Sequence, residues 1–181
     1  KKLSGKNDSG QQIWGYDEPG LSGWNICPFI WSMGGALTDE KQTKASGYIN
    51  SKETVAAIQM LAELYKDGSI TGWNSGDIPM TDGFGTGRYM MLFEGPWKVS
   101  ELAGAYPDFK YATAPIPAGK GGSVSVLGGE DIGMFNTANK DATWKFMKFM
   151  TDEYAQEEMA KCGQIPCNKK ALESDTAKQA D

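Results

Sequence analysis

The residues of this sequence with chemistry to offer are carboxylates beside glycines and tryptophans beside turns. Glu130 and Asp131 follow the pair Gly128-Gly129, and Glu94 stands before Gly95-Pro96-Trp97. Two carboxyl groups ~5–9.5 Å apart can hydrolyse a glycosidic bond. A carboxylate can also accept hydrogen bonds from paired hydroxyls without reacting. Glu130 and Asp131 are sequence neighbours, so on a strand they point to opposite faces and make a poor acid–base pair. Glu94 with Glu130 is the better enzymatic combination. The two glycines would let a ligand approach the backbone, and they fit a bulge or a hinge equally well.

The chain has six tryptophans in 181 residues. Trp24 follows Gly20-Leu21-Ser22-Gly23 and Trp97 follows Pro96, so both stand where a loop opens into a helix. In α/β folds such positions commonly face a cleft. A sugar ring can lay its C–H face on an indole while rim groups read its hydroxyls. Core packing is the competing role for both. Trp14, Trp73 and Trp144 read as core, and Trp31 fits either role.

Other chemistries lack their residues. There is no histidine, which removes His-based triads, His-ligated zinc and a histidine pH switch. Three cysteines are too few for an all-cysteine zinc site, so neither metal nor cofactor is expected. Cys162 and Cys167 are spaced for a local disulfide or for two unpaired thiols, and Cys27 reads as a small buried hydrophobe. The run Gly83-Phe84-Gly85-Thr86-Gly87 lacks the Gly-Lys-Ser/Thr ending of a phosphate loop. A net charge of −5 with a single arginine, Arg88, gives no basic stripe for nucleic acid. No apolar run approaches the ~20 residues of a membrane helix. Hydrophobic residues are 40% and charged residues 23%, as in one ordinary globular domain or one and a piece.

The elements that must position these residues follow from pattern. Residues 1–12 read as a frayed helix end and a turn, Ile13–Tyr16 as a strand, and Asp17-Glu18-Pro19-Gly20 as a turn. Ser22 can cap an apolar helix that Gly34-Gly35 stops, with Pro28 predicting a kink or late start. Asn50 to Asp67 reads as a helix capped by Asn50, with Glu53 at N3 and a stripe of Val55, Ile58, Leu61, Ala62 and Tyr65. Thr81–Gly87 reads as a short helix, Tyr89–Phe93 as a buried strand, and Pro96 opens a helix through Ala103. Lys110–Ala114, Val124–Leu127 and Ile132–Phe135 read as strands. Asp141–Met150 and Asp152–Lys161 read as helices, the second ended by Gly163. Strands alternating with helices argue an α/β class.

Seven segments in order then carry a resemblance. They are Trp31-Ser32-Met33-Gly34-Gly35-Ala36-Leu37, the helix Val55 to Lys66, and Phe84 to Met91 leading to Glu94-Gly95-Pro96-Trp97. Ala114-Pro115-Ile116-Pro117, Gly128 to Ile132, the helix Asn139 to Met150 and Gly163-Gln164-Ile165-Pro166 complete the set. Together they resemble the extracellular solute-binding proteins of ABC sugar importers, the maltose-binding-protein-like family. The resemblance implies one lobe of a two-lobed, type II periplasmic-binding-protein-like fold, a mixed sheet flanked by helices. It implies a C-terminal-lobe-like domain over residues 1–127 and a hinge-crossing segment over 128–165 whose helices pack on a missing N-terminal lobe. Residues 166–181 would return toward the first. It further implies sugar capture in a cleft for an ABC permease, without catalysis, in an extracellular, lipoprotein-anchored or periplasmic parent. Trp97 and, less directly, Trp24 would stack on sugar, and Gly128, Gly129, Glu130 and Asp131 would contact hydroxyls. A fragment deprived of its partner lobe could swap helices with a second copy. A glycoside hydrolase with paired carboxylates and a binder of polyamines or another non-sugar ligand are the alternatives.

Overall fold

The computed structural model describes residues 1–18, 20, 22–72 and 78–179. They form two units, Lys1–Phe93 with Lys110–Leu127, and Glu94–Phe109 with Gly128–Asp181.

In the first unit, β1 (Gly5–Lys6) and β2 (Gln12–Ile13) form an antiparallel hairpin where a frayed helix end is predicted. Asn7 makes the turn, its Oδ1 accepting the Gln11 N–H at 2.8 Å and its carbonyl accepting the Gly10 N–H at 2.8 Å. Asn-Asp-Ser-Gly is turn chemistry, and the polar residues before it are strand because the turn returns the chain along them. The sheet of the core comes next. Strand β3 (Tyr16–Glu18) pairs in parallel with β4 (Ile70–Gly72), placing Asp17 opposite Thr71 and Glu18 opposite Gly72. On its other side, bridges join Trp14 to Tyr89 and Asp17 to Leu92. The predicted turn at Asp17-Glu18 is therefore a buried strand. Among the described residues the predicted strand Tyr89–Phe93 makes those two bridges, with Tyr89 buried and Met91 half-exposed. One face of that run meets the core, and a continuous apolar run does not reveal which.

Helix α1 (Gly23–Ser32) starts as predicted, the Ser22 hydroxyl accepting the Asn25 N–H at 3.4 Å. Pro28 lies buried inside it, so the helix does not start late, and Gly34 ends it at φ 86°. Helix α2 (Lys52–Lys66) is capped by Ser51, which accepts the Thr54 N–H at 3.2 Å. Asn50, the predicted cap, instead accepts the Gly47 N–H at 2.6 Å. The buried face of α2 is Thr54, Ala57 and Leu61, while Val55 and Tyr65 are half-exposed. The helix is rotated from its apolar stripe because the Thr54 hydroxyl bonds the carbonyls of Ala36 at 3.1 Å and Tyr48 at 3.0 Å. Helix α3 (Met80–Gly85) completes the unit's helices among the described residues, and Gly83 in it has room for no Cβ against the Tyr89 ring.

The second unit is helical: α4 (Trp97–Ala105), α5 (Lys140–Met150), α6 (Glu153–Ala160), α7 (Lys169–Glu173) and α8 (Asp175–Gln179). Asp152 caps α6, accepting the Ala155 N–H at 2.9 Å, and Asn168 caps α7, accepting the Lys170 N–H at 3.0 Å. The Gln156 amide ties the helices together, donating to the Met150 carbonyl at 2.8 Å and accepting from the Cys167 N–H at 2.7 Å. Helix α5 buries no residue, and Trp144, predicted as core, is half-exposed on it. The predicted strands at 110–114, 124–127 and 132–135 are irregular chain without strand partners among the described residues. Leu127 is 94% and Phe135 85% exposed there, so apolar side chains alone do not make a ladder. Cys27 is buried as predicted, and Cys162 and Cys167 are exposed free thiols.

Candidate functional site

Two groups of side chains answer to the chemistry read from the sequence, one in each unit. In the first unit the group sits at the carboxyl end of β3, where open α/β sheets receive ligands. Asp17 and Glu18 are each only 6% exposed. The Tyr16 hydroxyl donates to Glu18 Oε2 at 3.0 Å, and the Gly20 N–H reaches Glu18 Oε1 at 3.4 Å. The Asn25 side chain donates to the Gly20 carbonyl at 3.1 Å, which ties the first turn of α1, and with it Trp24, to the loop after β3. Phe29 stands edge-on to Tyr16 at 6.0 Å between ring centres, and Phe93 lies 6.2 Å beyond it.

Burial pushes the Glu18 carboxyl up to about 7, against the bonds from Tyr16 and Gly20, with the neighbouring Asp17 charge adding to the rise. Burial alone pushes Asp17 up to about 6. Both charged forms have lost water; Glu18 gains two hydrogen-bond donors in return, and among the described residues no cation offsets the loss. A carboxylate in that condition gains from hydroxyl donors brought by a ligand.

In the second unit the group is the first turn of α4. Trp97 is its first residue, and the indole Nε1–H donates to Glu94 Oε2 at 2.5 Å. The six-membered ring of the indole lies against Gly95, where a Cβ would overlap it. Lys98 Nζ lies 3.9 Å from Glu94 Oε2 and also pairs with Glu101. Gly163 presses on this turn from the end of α6, at φ 81°, with the Pro96 carbonyl and Ser100 hydroxyl 2.9 Å from where its Cβ would be.

Of the predicted site residues, Trp24 lies in the first unit, while Trp97, Gly128, Gly129, Glu130 and Asp131 lie in the second. Trp24 is 37% exposed and Trp97 half-buried. Residues 128–131 are exposed and lie outside helix and strand, and an added Cβ at Gly129 would meet nothing within 4 Å. Trp73 lies outside the described residues, as does Pro19 of the predicted turn. Glu94, the enzymatic candidate, is engaged by Trp97 and Lys98. Sequence reasoning missed Tyr16, Glu18 and Asn25. The available signal was two acids at the end of an apolar run just before a helix cap, which is the strand–loop–helix corner of an α/β fold.

A cleft of about 650 Å³ lies by the start of β3, lined by Ser4, Gln12, Trp14, Asp67 and Ser69 among others. Trp14, read as core, stands at its wall, edge-on to Tyr89 at 5.9 Å and with the Arg88 guanidinium 5.5 Å over its ring. Among the described residues, no group of three or more acidic, histidine or cysteine side chains could hold a metal ion. No described helix is long and apolar enough to cross a membrane.

The profile of the bacterial extracellular solute-binding proteins matches residues 1–181. No curated protein matches the chain. Among solved structures, the GacH receptor of Streptomyces glaucescens, determined unliganded and with acarbose and an acarbose homolog, is similar at TM-score 0.73 and 22% identity, over 92% of this chain and 44% of that one. Maltose-bound MalE3 of T. maritima gives TM-score 0.73 at 26% identity, over 93% and 45%. A Listeria monocytogenes ABC substrate-binding protein in complex with cycloalternan gives 0.72 at 22%, over 93% and 43%. The chain thus spans somewhat under half the length of these structures, and it has the mixed α/β fold of that portion of them.

Proposed function

The chain belongs to the bacterial extracellular solute-binding proteins, a non-enzymatic family, and we propose that it takes part in reversible, non-covalent capture of a carbohydrate for delivery to an ABC permease. The observation that carries the reading is the buried Glu18 carboxylate, held by Tyr16 and Gly20 beside the α1 turn that bears Trp24. A desolvated acceptor with no cation beside it among the described residues favours neutral hydroxyl donors over anions, and the Trp24 indole in the first turn of α1 would offer a face for sugar C–H groups. The similar structures solved with acarbose, maltose and cycloalternan support the same ligand class. Trp97 is a second stacking surface in this reading, and Gly128, Gly129, Glu130 and Asp131 contact hydroxyls. The complete protein is extracellular, held as a lipoprotein or free in the periplasm.

The same reading assigns residues 128–165 to contacts with polypeptide beyond this chain. The exposed apolar side chains of α5, with Trp144 and Phe146 each over half exposed, support that assignment. So does the stretch without strand partners that exposes Phe135.

The test is titration of the complete protein with maltose and acarbose, alongside Glu18→Gln and Trp24→Ala. Glu18→Gln keeps the shape and one acceptor oxygen, so the expected loss is about tenfold; Trp24→Ala removes the aromatic face and should cost more. Equal affinity of both variants and the wild type would move the site elsewhere.

A further inference from the structure

We propose that Glu94 is a positioning residue for Trp97, and that Glu94 and Gly95 together form a seat that presents the indole face, not its N–H, to a ligand. The inference rests on the proposed stacking role of Trp97. Three observations carry it. The indole Nε1–H is donated to Glu94 Oε2 at 2.5 Å, so its one donor is spent inside the protein. The six-membered ring of the same indole lies on Gly95, and any side chain there would overlap it. The Glu94 carboxylate is itself anchored, 3.9 Å from Lys98 Nζ, with both side chains mostly buried at 16% and 14% exposed.

These contacts fix the indole at both ends, the nitrogen by a charge-assisted bond and the six-membered ring by close packing. A ring fixed before the ligand arrives does not lose that freedom on binding, which is where such a seat gains affinity. The carboxylate on the N–H also leaves the π face richer in electrons for C–H groups of a sugar. Glu94 thus leaves the list of acid–base candidates with a task of its own.

The experiment uses the complete protein with maltose and acarbose as probes and compares wild type, Glu94→Ala and Glu94→Gln. A second, ligand-free readout is the indole N–H resonance of Trp97, assigned with Trp97→Phe. Glu94→Ala should weaken binding about tenfold and move the resonance toward its solvent-exposed position. Glu94→Gln keeps an acceptor oxygen and should stay within about threefold of wild type. Unchanged affinity and an unmoved resonance in Glu94→Ala would overturn the proposal. If Glu94→Ala does not fold, Glu94→Asp, with the charge kept and the reach shortened, takes its place under the same criteria. If the wild type binds neither probe, the carbohydrate reading fails on those sugars, while the resonance still decides whether Glu94 holds the indole.

Discussion

Glu18 and Glu94 are both carboxylates that accept a bond from an aromatic side chain, Tyr16 at 3.0 Å in one unit and Trp97 at 2.5 Å in the other. Their surroundings differ. Glu94 has a lysine beside it, at 3.9 Å, whereas the neighbouring charge at Glu18 is Asp17, of the same sign. Offset by a cation, Glu94 can serve as fixed structure under a tryptophan. Lacking that compensation, Glu18 is pushed by burial toward its protonated form. The comparison teaches that an acid's state follows from what neutralises it and not from its place in a motif: Glu94 sits in the recognisable Glu-Gly-Pro-Trp segment, yet Glu18 is the carboxylate we propose for ligand contact.

The largest expected effect that sharpens this contrast is the pH dependence of the first unit. The Asp17 and Glu18 carboxyls sit at about 6 and about 7 in the folded chain, against ordinary values of 3.8 and 4.5. Between those ranges the folded state keeps protons that the unfolded state gives up, so stability falls as pH rises. The contribution is complete below pH ~4 and lost through pH ~7, up to about 3 kcal/mol per group. Thermal melting from pH 4 to 8 should show this decline, and Glu18→Gln should flatten it. An unchanged slope in the variant would remove Glu18 as its source.

Gly83→Ala comes next. Its Cβ would overlap the buried Tyr89 ring, whose hydroxyl donates to the Ile78 carbonyl at 2.8 Å. A loss of about 2–3 kcal/mol in denaturant unfolding is expected, and neutrality would show that the ring can move away. Smaller still are the caps of α2. Ser51→Ala should cost about 1 kcal/mol and Asn50→Ala distinctly less, the reverse of the order that a cap at Asn50 would give. Smallest is Trp144→Ser on α5. On this chain alone it should change stability by less than about 0.5 kcal/mol, because the ring is 52% exposed. In the complete protein it should cost clearly more. Equal effects in both would contradict an interface at α5.

Where local chemistry decides, the sequence was readable. Ser22 caps α1 as its type announces, Pro96 precedes α4, and Gly34 and Gly163 end helices at positive φ. The α/β class and the family were also legible, the family because seven weak segments stand in one order. Where tertiary contacts decide, it was not. Thr54 turns α2 away from its apolar stripe by bonding two loop carbonyls. Asp17 and Glu18 look like a turn before Pro-Gly, and only the pairing of β3 with β4 makes them strand. The apolar runs around 124–135 look like strands, but a strand needs a neighbour, and none is present among the described residues. For the site, Trp97 and Trp24 were nameable as large rings at helix starts, while Glu18 needed the sheet to be buried and Tyr16 to be aimed at it.

The central claim is that this chain belongs to a protein that captures carbohydrate without altering it. Calorimetric titration of the complete protein with maltose, acarbose and a panel of other mono- and oligosaccharides, followed by chromatography of the recovered sugar, tests it most directly. The account predicts saturable binding in the micromolar range or tighter, with the sugar returned intact. Absence of heat for every carbohydrate, with binding of a polyamine or peptide instead, would contradict it.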